Sequence, residues 1–244
     1  MTSLQMFIES LDDEEWESRL YGLLQNHVEL DLFKLMCKVL DQSLFVQVDW
    51  ARNSYYFKDL KLQVDDQMFL LQDSWSEMLI LDHMHHRMHN NLPDEAQLPN
   101  GQKFKLLSLA LLGVPSMAQK FLEISDNLKQ LCFDSADYVC LKFILLLNAG
   151  ALQNKQNKQK VQKCSEQVHQ ILLEHCQTCY PNLPEKYIQL LAQIPELRFM
   201  AQRGEDFLHV KHIQGDAPHA SLLMEMLEAK LRSRRNSLQV HCRG

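Results

Sequence analysis

Glycine and proline are scarce, with seven of each in 244 residues. So few turn-formers leave little room for the frequent tight reversals of a sheet-rich fold. β-Branched aliphatics are scarce as well: 19 Val plus Ile stand against 43 Leu. Leu loses little rotamer freedom in a helix, whereas Val and Ile lose more, so this balance predicts helices and argues against a β-sandwich or a doubly wound sheet. Long apolar runs are missing too. The longest, Phe143 to Leu147, falls far short of the roughly 18–20 residues that a membrane helix needs. Positive charge is not in excess, and a net charge of −6 argues against a nucleic-acid-binding face as the chain's main business.

Other absences narrow the class further. The first residues hold Glu9, Asp12, Asp13, Glu14, Glu15 and Glu17, where a secretory leader would be basic and then apolar. Seven cysteines, an odd number, are scattered mostly inside apolar helical patterns, as small hydrophobes are in a reducing compartment. Hydrophobic residues at 46% and charged ones at 23% are ordinary for a globular chain, and the length admits one large domain or two small ones. The expectation is a soluble intracellular protein.

What is present reads as a succession of helices. Leu11 to Gln25 is amphipathic, with Asp12 and Glu15 spaced as a capping pair and Trp16, Leu20, Leu23 and Leu24 on one face. Leu30 to Leu60 lacks Gly and Pro and suits one long helix. Val64 to Met88 has apolar residues at helical spacing, at Met68, Leu71, Trp75, Met78 and Leu79. Phe69, Leu70, Ile80, Leu81 and Met84 cover much of the remaining circumference. Such a helix must be wrapped by others, which places it in the middle layer of a helical sandwich.

Asn90 to Gly101 is a loop with room for a short hairpin. Phe104 to Leu131 is helical around a break at Gly113-Val114-Pro115, and Phe133 to Leu147 is a buried helix capped by Asp134. Ala149 to Lys163 is polar and Lys-rich, a solvated loop leading into the next helix. Pro184 to Ile213 is another long helix with a kink expected at Pro195. After a turn at Gly215, Asp216 and Pro218, a short helix from Ala220 to Leu231 closes the body, and residues 232–244 form a basic tail. No internal repeat is found, which counts against an α-solenoid.

Chemistry-bearing patterns are few. DHMHHRMH, from Asp82 to His89, puts His85 and His89 four apart on one helix face, a zinc-compatible geometry. The metalloprotease form needs Glu beside the first His, and that position holds His86, so a His-rich helix end is the simpler reading and no metal site is expected. Cys176-x-x-Cys179 has no second pair, and buried helix-end cysteines explain it. Leu20, Leu23 and Leu24 match L-x-x-L-L, the pattern by which amphipathic helices enter grooves, yet packing into the chain's own core accounts for them. Neither a phosphate loop nor a nucleophile elbow nor a paired-acid motif occurs, so the chain is not expected to be an enzyme. In the last helix, Leu222, Leu223, Met226 and Leu227 form an apolar stripe interrupted by Glu225. It is either permanently docked or a mobile lid completing a groove.

Two stretches carry a family resemblance. Trp50 to Leu71, WARNSYYFKDLKLQVDDQMFLL, and the closing LLMEML of Leu222 to Leu227 together resemble the nuclear receptor ligand-binding domain. Within that superfamily, DDQMFLLQDSWSEMLILDH and DYVCLKFILLLN resemble the steroidogenic factor, liver receptor homologue and fushi tarazu factor group. HHRMHNNLPDEAQLPNGQ and LLGVP are most similar to its insect members.

The resemblance implies a three-layer antiparallel sandwich of about twelve α-helices, with at most a small β-hairpin, over residues 1–231. It further implies a non-catalytic, nuclear, largely monomeric regulator of transcription. Such a domain docks L-x-x-L-L helices of coactivators or corepressors, and a homeodomain protein is a further candidate partner. By motif position, Arg52 and Glu225 are the two charges clamping the docked helix, whose end carbonyls and amides they would meet. Val48, Met68, Leu71 and Leu222 would line the groove between them.

Three departures from the family pattern stand out. Between Phe57 and Asp66 the chain has two extra residues, so the loop at Lys61 to Val64 is open to reshaping. Lipid-binding vertebrate relatives hold a phospholipid head with a Gly backbone, a Tyr and a Lys; here those positions read Leu111, Phe207 and Lys211. Leu109, Leu111, Leu112 and Val114 are expected to turn inward and leave a filled or reduced pocket without a cofactor. The alternative is a phospholipid-responsive pocket involving His83 and Lys211. The family's DNA-reading zinc module has no counterpart in this sequence, so no direct nucleic-acid binding is expected.

Overall fold

The apolar pattern centred on Trp75 forms a helix over Val64–His89, and every residue from Ser74 to His86 is buried. A helix covered on all sides needs neighbours on all sides, and this one sets the architecture. The computed structural model describes residues 3–11, 13–28 and 31–241, with side chains through 236.

In chain order the elements are α1 (Ser3–Glu9), α2 (Asp13–Gln25), α3 (Leu32–Asn53), α4 (Tyr55–Leu60) and α5 (Val64–His89). A hairpin of β1 (Glu95–Gln97) and β2 (Lys103–Lys105) follows, then α6 (Leu107–Ala110), α7 (Ala118–Gln130) and α8 (Ser135–Leu146). The chain continues as α9 (Lys155–Cys179), α10 (Lys186–Ile213) and α11 (Leu222–His241), with 3-10 turns at Pro115–Met117 and Ala149–Ala151. The fold is an all-α layered sandwich. α5 and α8 form its middle, α3 and α11 pack on α5 from one side, and α10 packs against α5, α7, α8, α9 and α11 from the other. The hairpin is the one sheet among the described residues, antiparallel with Ala96 opposite Phe104.

Three boundaries differ from the sequence expectation. Leu30 to Leu60 is two helices rather than one. Ser54 ends α3 by donating its hydroxyl to the Ala51 carbonyl at 2.6 Å and starts α4 by accepting from the Phe57 amide. α9 begins at Lys155, inside the stretch expected to be loop, because Asn154 accepts from the Gln156 and Asn157 amides. α10 is one long helix with Pro195 inside it, as expected. The closing helix does not stop at Leu231 but continues to His241, so most of the expected basic tail is helical. The capping role of Asp12 lies outside the described residues. Asp134 caps α8 as expected, in a reciprocal capping box with Asp137.

Candidate functional site

α3, α5 and α11 meet one another and frame an apolar strip. From α3 come Phe45 (53% exposed), the half-buried Val48 and the exposed Arg52, on one face at i, i+3 and i+7. From α5 come Val64 (72% exposed), the half-buried Met68 and Phe69 (47% exposed). α11 contributes the half-buried Leu222 and the exposed Glu225. Leu71, expected on the groove wall, is 1% exposed and belongs to the core beneath it. Phe45, Val64 and Phe69 are exposed apolar residues not named for the groove from the sequence; Phe45 also lines a cleft with α2, and Phe69 one with Ala229 and Arg232. Among the described residues neither Arg52 nor Glu225 has an ion-pair partner, and both are exposed.

In the loop at Lys61 to Val64 only Leu62 turns inwards. Lys61 takes a left-handed conformation (φ 45°) after α4, Leu62 is buried, and the Gln67 side chain donates to the Leu62 carbonyl at 3.2 Å.

Contacts within the chain hold α11 in place. At its start, the Leu223 amide donates to Asp41 Oδ1 at 2.8 Å and the Met224 amide to Ser221 Oγ at 3.2 Å. These satisfy two of the orphan donors of a helix N-terminus, and Asp41 also complements its dipole. Further along, Lys230 reaches into the core and bonds Glu77 Oε2 at 2.6 Å, Glu205 Oε1 at 2.9 Å and Ser76 Oγ at 2.9 Å. Arg234 pairs with the other oxygen of Glu205 and with Asp206. Burial works against the Lys230 charge, but Glu77 and Glu205 outweigh it and hold its pKa above the usual value. Burial also holds the Glu77 carboxyl above its ordinary range, against the pull of Lys230. α11 is thereby tied to α3 by the half-buried Asp41, and to α5 and α10 mainly by the buried Lys230, Glu77 and Glu205.

Residues 27–214 match the family described as the ligand-binding domain of nuclear hormone receptor. This chain belongs to the nuclear receptor ligand-binding domain family. It is 54% identical over 231 residues to nuclear hormone receptor FTZ-F1 of Drosophila melanogaster, covering 93% of this chain and 22% of that protein. To the Bombyx mori protein of the same name it is 53% identical, covering 94% of this chain and 43% of the relative. Steroidogenic factor 1 of Rattus norvegicus is 32% identical over 235 residues, covering 93% of this chain and 50% of that protein. The chain thus spans half or less of the length of these relatives. The crystal structure of the ligand-binding domain of fushi tarazu factor 1 of Drosophila melanogaster superposes with a TM-score of 0.89. The two are 53% identical, and the match covers 94% of this chain and 95% of that one. The receptor domain is therefore of the fushi tarazu factor, steroidogenic factor and liver receptor homologue group.

In this receptor domain two of the four expected pocket residues, Phe207 and Lys211, share Phe33 as a neighbour. Leu111 is 6% exposed in the turn after α6. Phe207 stands edge-on to Phe33 with ring centres 6.1 Å apart. Lys211 is held by Asp216 at 2.9 Å. His83 is 2% exposed, lies edge-on to Phe121 at 5.8 Å, and has no hydrogen-bond partner on either ring nitrogen. Burial pushes its pKa down to about 3.

The segment after α6 presses directly onto α10. A Cβ built on Gly204 would lie 2.5 Å from Leu112 Cβ, and one on Gly113 (φ +84°) would lie 2.8 Å from the Phe207 ring. Leu112 itself, fully buried, sits at φ 47°. Glycine at 204 is what lets the Leu112 side chain seat so closely on the α10 backbone. A cleft of about 630 Å³ lies between α2 and α3, lined among others by Trp16, Leu20, Leu23, Val39, Val46 and Leu109.

The remaining sequence motifs resolve locally. Leu20 and Leu24 of the L-x-x-L-L match are buried in the domain's own core. Cys176 is buried as expected, but Cys179 is exposed. No helix among the described residues is long and apolar enough to cross a membrane.

Proposed function

We propose that this domain is the coregulator-docking half of a nuclear transcription regulator. In this reading an L-x-x-L-L helix enters the strip between α3, α5 and α11, with Arg52 at its C-terminal carbonyls and Glu225 at its N-terminal amides. Val48, Met68 and Leu222, together with Phe45, Val64 and Phe69, receive its leucines. The observation that carries the proposal is the anchoring of α11 by Asp41, Glu77 and Glu205, because a groove completed by the chain's own bonds needs no ligand to complete it. The seating of Leu112 against Gly204 supports a filled interior and constitutive docking. The domain acts as a monomer, without enzymatic activity and without touching DNA itself, and coactivators or corepressors of this helical type are its partners.

The second reading, a phospholipid-responsive domain, has one observation in its favour: the two unpartnered nitrogens of buried His83. Against it, Lys211 already has a carboxylate partner and position 207 lacks a hydroxyl.

Fluorescence polarisation of a labelled L-x-x-L-L peptide tests the proposal. The ligand-free domain is expected to bind at micromolar affinity or better, and Arg52→Ala and Glu225→Ala to weaken binding by roughly 1–3 kcal/mol each, as for lost charge-assisted contacts. Failure of the wild type to bind would overturn constitutive docking. A stoichiometric phospholipid adduct in the native mass spectrum would favour the second reading.

A further inference from the structure

Outside the groove, the densest untapped chemistry lies where the start of α2 meets the C-terminal half of α5. We propose that Asp13, His85 and His86 form a binding site for a divalent first-row metal ion, with zinc the best fit, that ties α2 to α5. The pair singled out by spacing, His85 and His89, is not this site, since the second anchor arrives from 72 residues away in sequence.

Asp13 Oδ2 lies 3.0 Å from His85 Nε2, and one ligand atom from each of Asp13, His85 and His86 lies within 4.8 Å of the other two. Tetrahedral zinc with nitrogen and oxygen donors spaces its ligand atoms about 3.4 Å apart, so only small side-chain movements close the site. Both rings are already fixed. His85 stacks on Tyr138 at 3.9 Å and 6°, and His86 on Trp16 at 3.6 Å and 9°. Ligands held in this way lose little freedom on binding, which favours affinity. His85 and His86 are 0% and 2% exposed, while the Asp13 side chain is about one-third exposed.

A cleft of about 260 Å³ whose lining includes Asp13, Trp16, His86, Asp82, Tyr138 and Lys142 provides an entry path and room for a water as fourth ligand. The nearby cation, Lys142, is 2.9 Å from Asp82 and 4.3 Å from the centre of the Trp50 ring. Its charge is therefore matched, and Asp13 supplies the local negative charge. Two imidazoles and one carboxylate suit zinc and its neighbours, whereas magnesium and calcium want oxygen donors throughout.

The test is a zinc titration of the metal-stripped domain in competition with a chromophoric chelator, repeated with cobalt to read the ligand field. Two variants accompany the wild type. Asp13→Asn keeps a hydrogen-bond partner for His85, and His86→Phe keeps a ring on Trp16; thermal melts followed by circular dichroism establish that both fold. The expected result is one ion per wild-type chain, a cobalt spectrum without a thiolate charge-transfer band, and at least tenfold weaker binding in each variant. Three results would each overturn the proposal: no stoichiometric uptake by the wild type, uptake that both variants leave unchanged, or a thiolate band assigning the ion to cysteine.

Discussion

Two buried ionic clusters hold this domain together, and they differ in what hangs on them. One joins α11 to the body through Lys230, Glu77, Glu205, Ser76 and Arg234. The other lies at the start of α8, where Lys186 of α10 meets Asp137 at 2.7 Å and donates to the Cys132 carbonyl at 3.0 Å. There His175 and Tyr180 bond Asp134 at 2.9 and 2.7 Å. Burial pushes the Asp137 carboxyl up to about 6. Asp134 falls well below the usual range despite its burial, because His175, the Asp137 amide and Tyr180 all bond to it. The chemistry of the two clusters is alike. The second staples scaffold helices to one another, whereas the first fixes α11, the helix that completes the docking groove in the proposed function. Buried ion pairs are poor evidence of net stability, so the first cluster is better understood as specifying where α11 sits.

The largest expected effects come from removing one ammonium from each cluster. Lys230→Met leaves Glu77 and Glu205 without their buried partner and is expected to cost about 3–5 kcal/mol in urea unfolding, together with most of the L-x-x-L-L affinity. Lys186→Met strands Asp137 and is expected to cost a similar amount, while leaving peptide affinity near wild type wherever the protein is folded. Equal loss of peptide binding in both variants would break the comparison.

A smaller effect is expected at the packed interior. Gly204→Ala would ordinarily help a helix, but here its Cβ meets Leu112 at 2.5 Å. Overpacking is expected to win and cost about 1–3 kcal/mol, seen as a lower Tm. A raised Tm would show that the segment after α6 yields readily.

The smallest effect sharpens the second cluster alone. The hydrogen bond to Asp134 raises the His175 pKa, and burial opposes it. A raised histidine pKa means that the folded state holds the proton more tightly. The His175 contribution is therefore complete below the unfolded value and fades as pH rises through the folded one. The stability gap between wild type and His175→Gln should be wider at pH 6 than at pH 8, with peptide affinity unaffected.

Much of the fold was legible because its signals are local. The cap at Asp134, the all-round apolar pattern of α5 and the turn-rich stretch from Asn90 to Gly101 each lie within a few residues. Arg52 and Glu225 were singled out through the family motif, and both stand exposed on α3 and α11. What escaped depends on distance along the chain. The bond from the Leu223 amide to Asp41 spans 182 residues, and that from Lys230 to Glu77 spans 153; no periodicity encodes either. The length of α11 escaped for a related reason, since Arg232, Arg234 and Arg235 look like a solvated tail until Glu205 is seen to receive Arg234. Leu71 was placed on the groove wall by the family motif, and a motif gives a position in the chain but not the depth of its side chain, here 1% exposed.

The contact of Leu112 with Gly204 also has a mechanical consequence. Hydrostatic pressure unfolds proteins by eliminating the empty volume they enclose. Where a side chain sits directly on a glycine backbone, little volume remains to be lost. The junction of α6 and α10 should therefore be among the least compressible parts of the domain, yielding late as pressure rises.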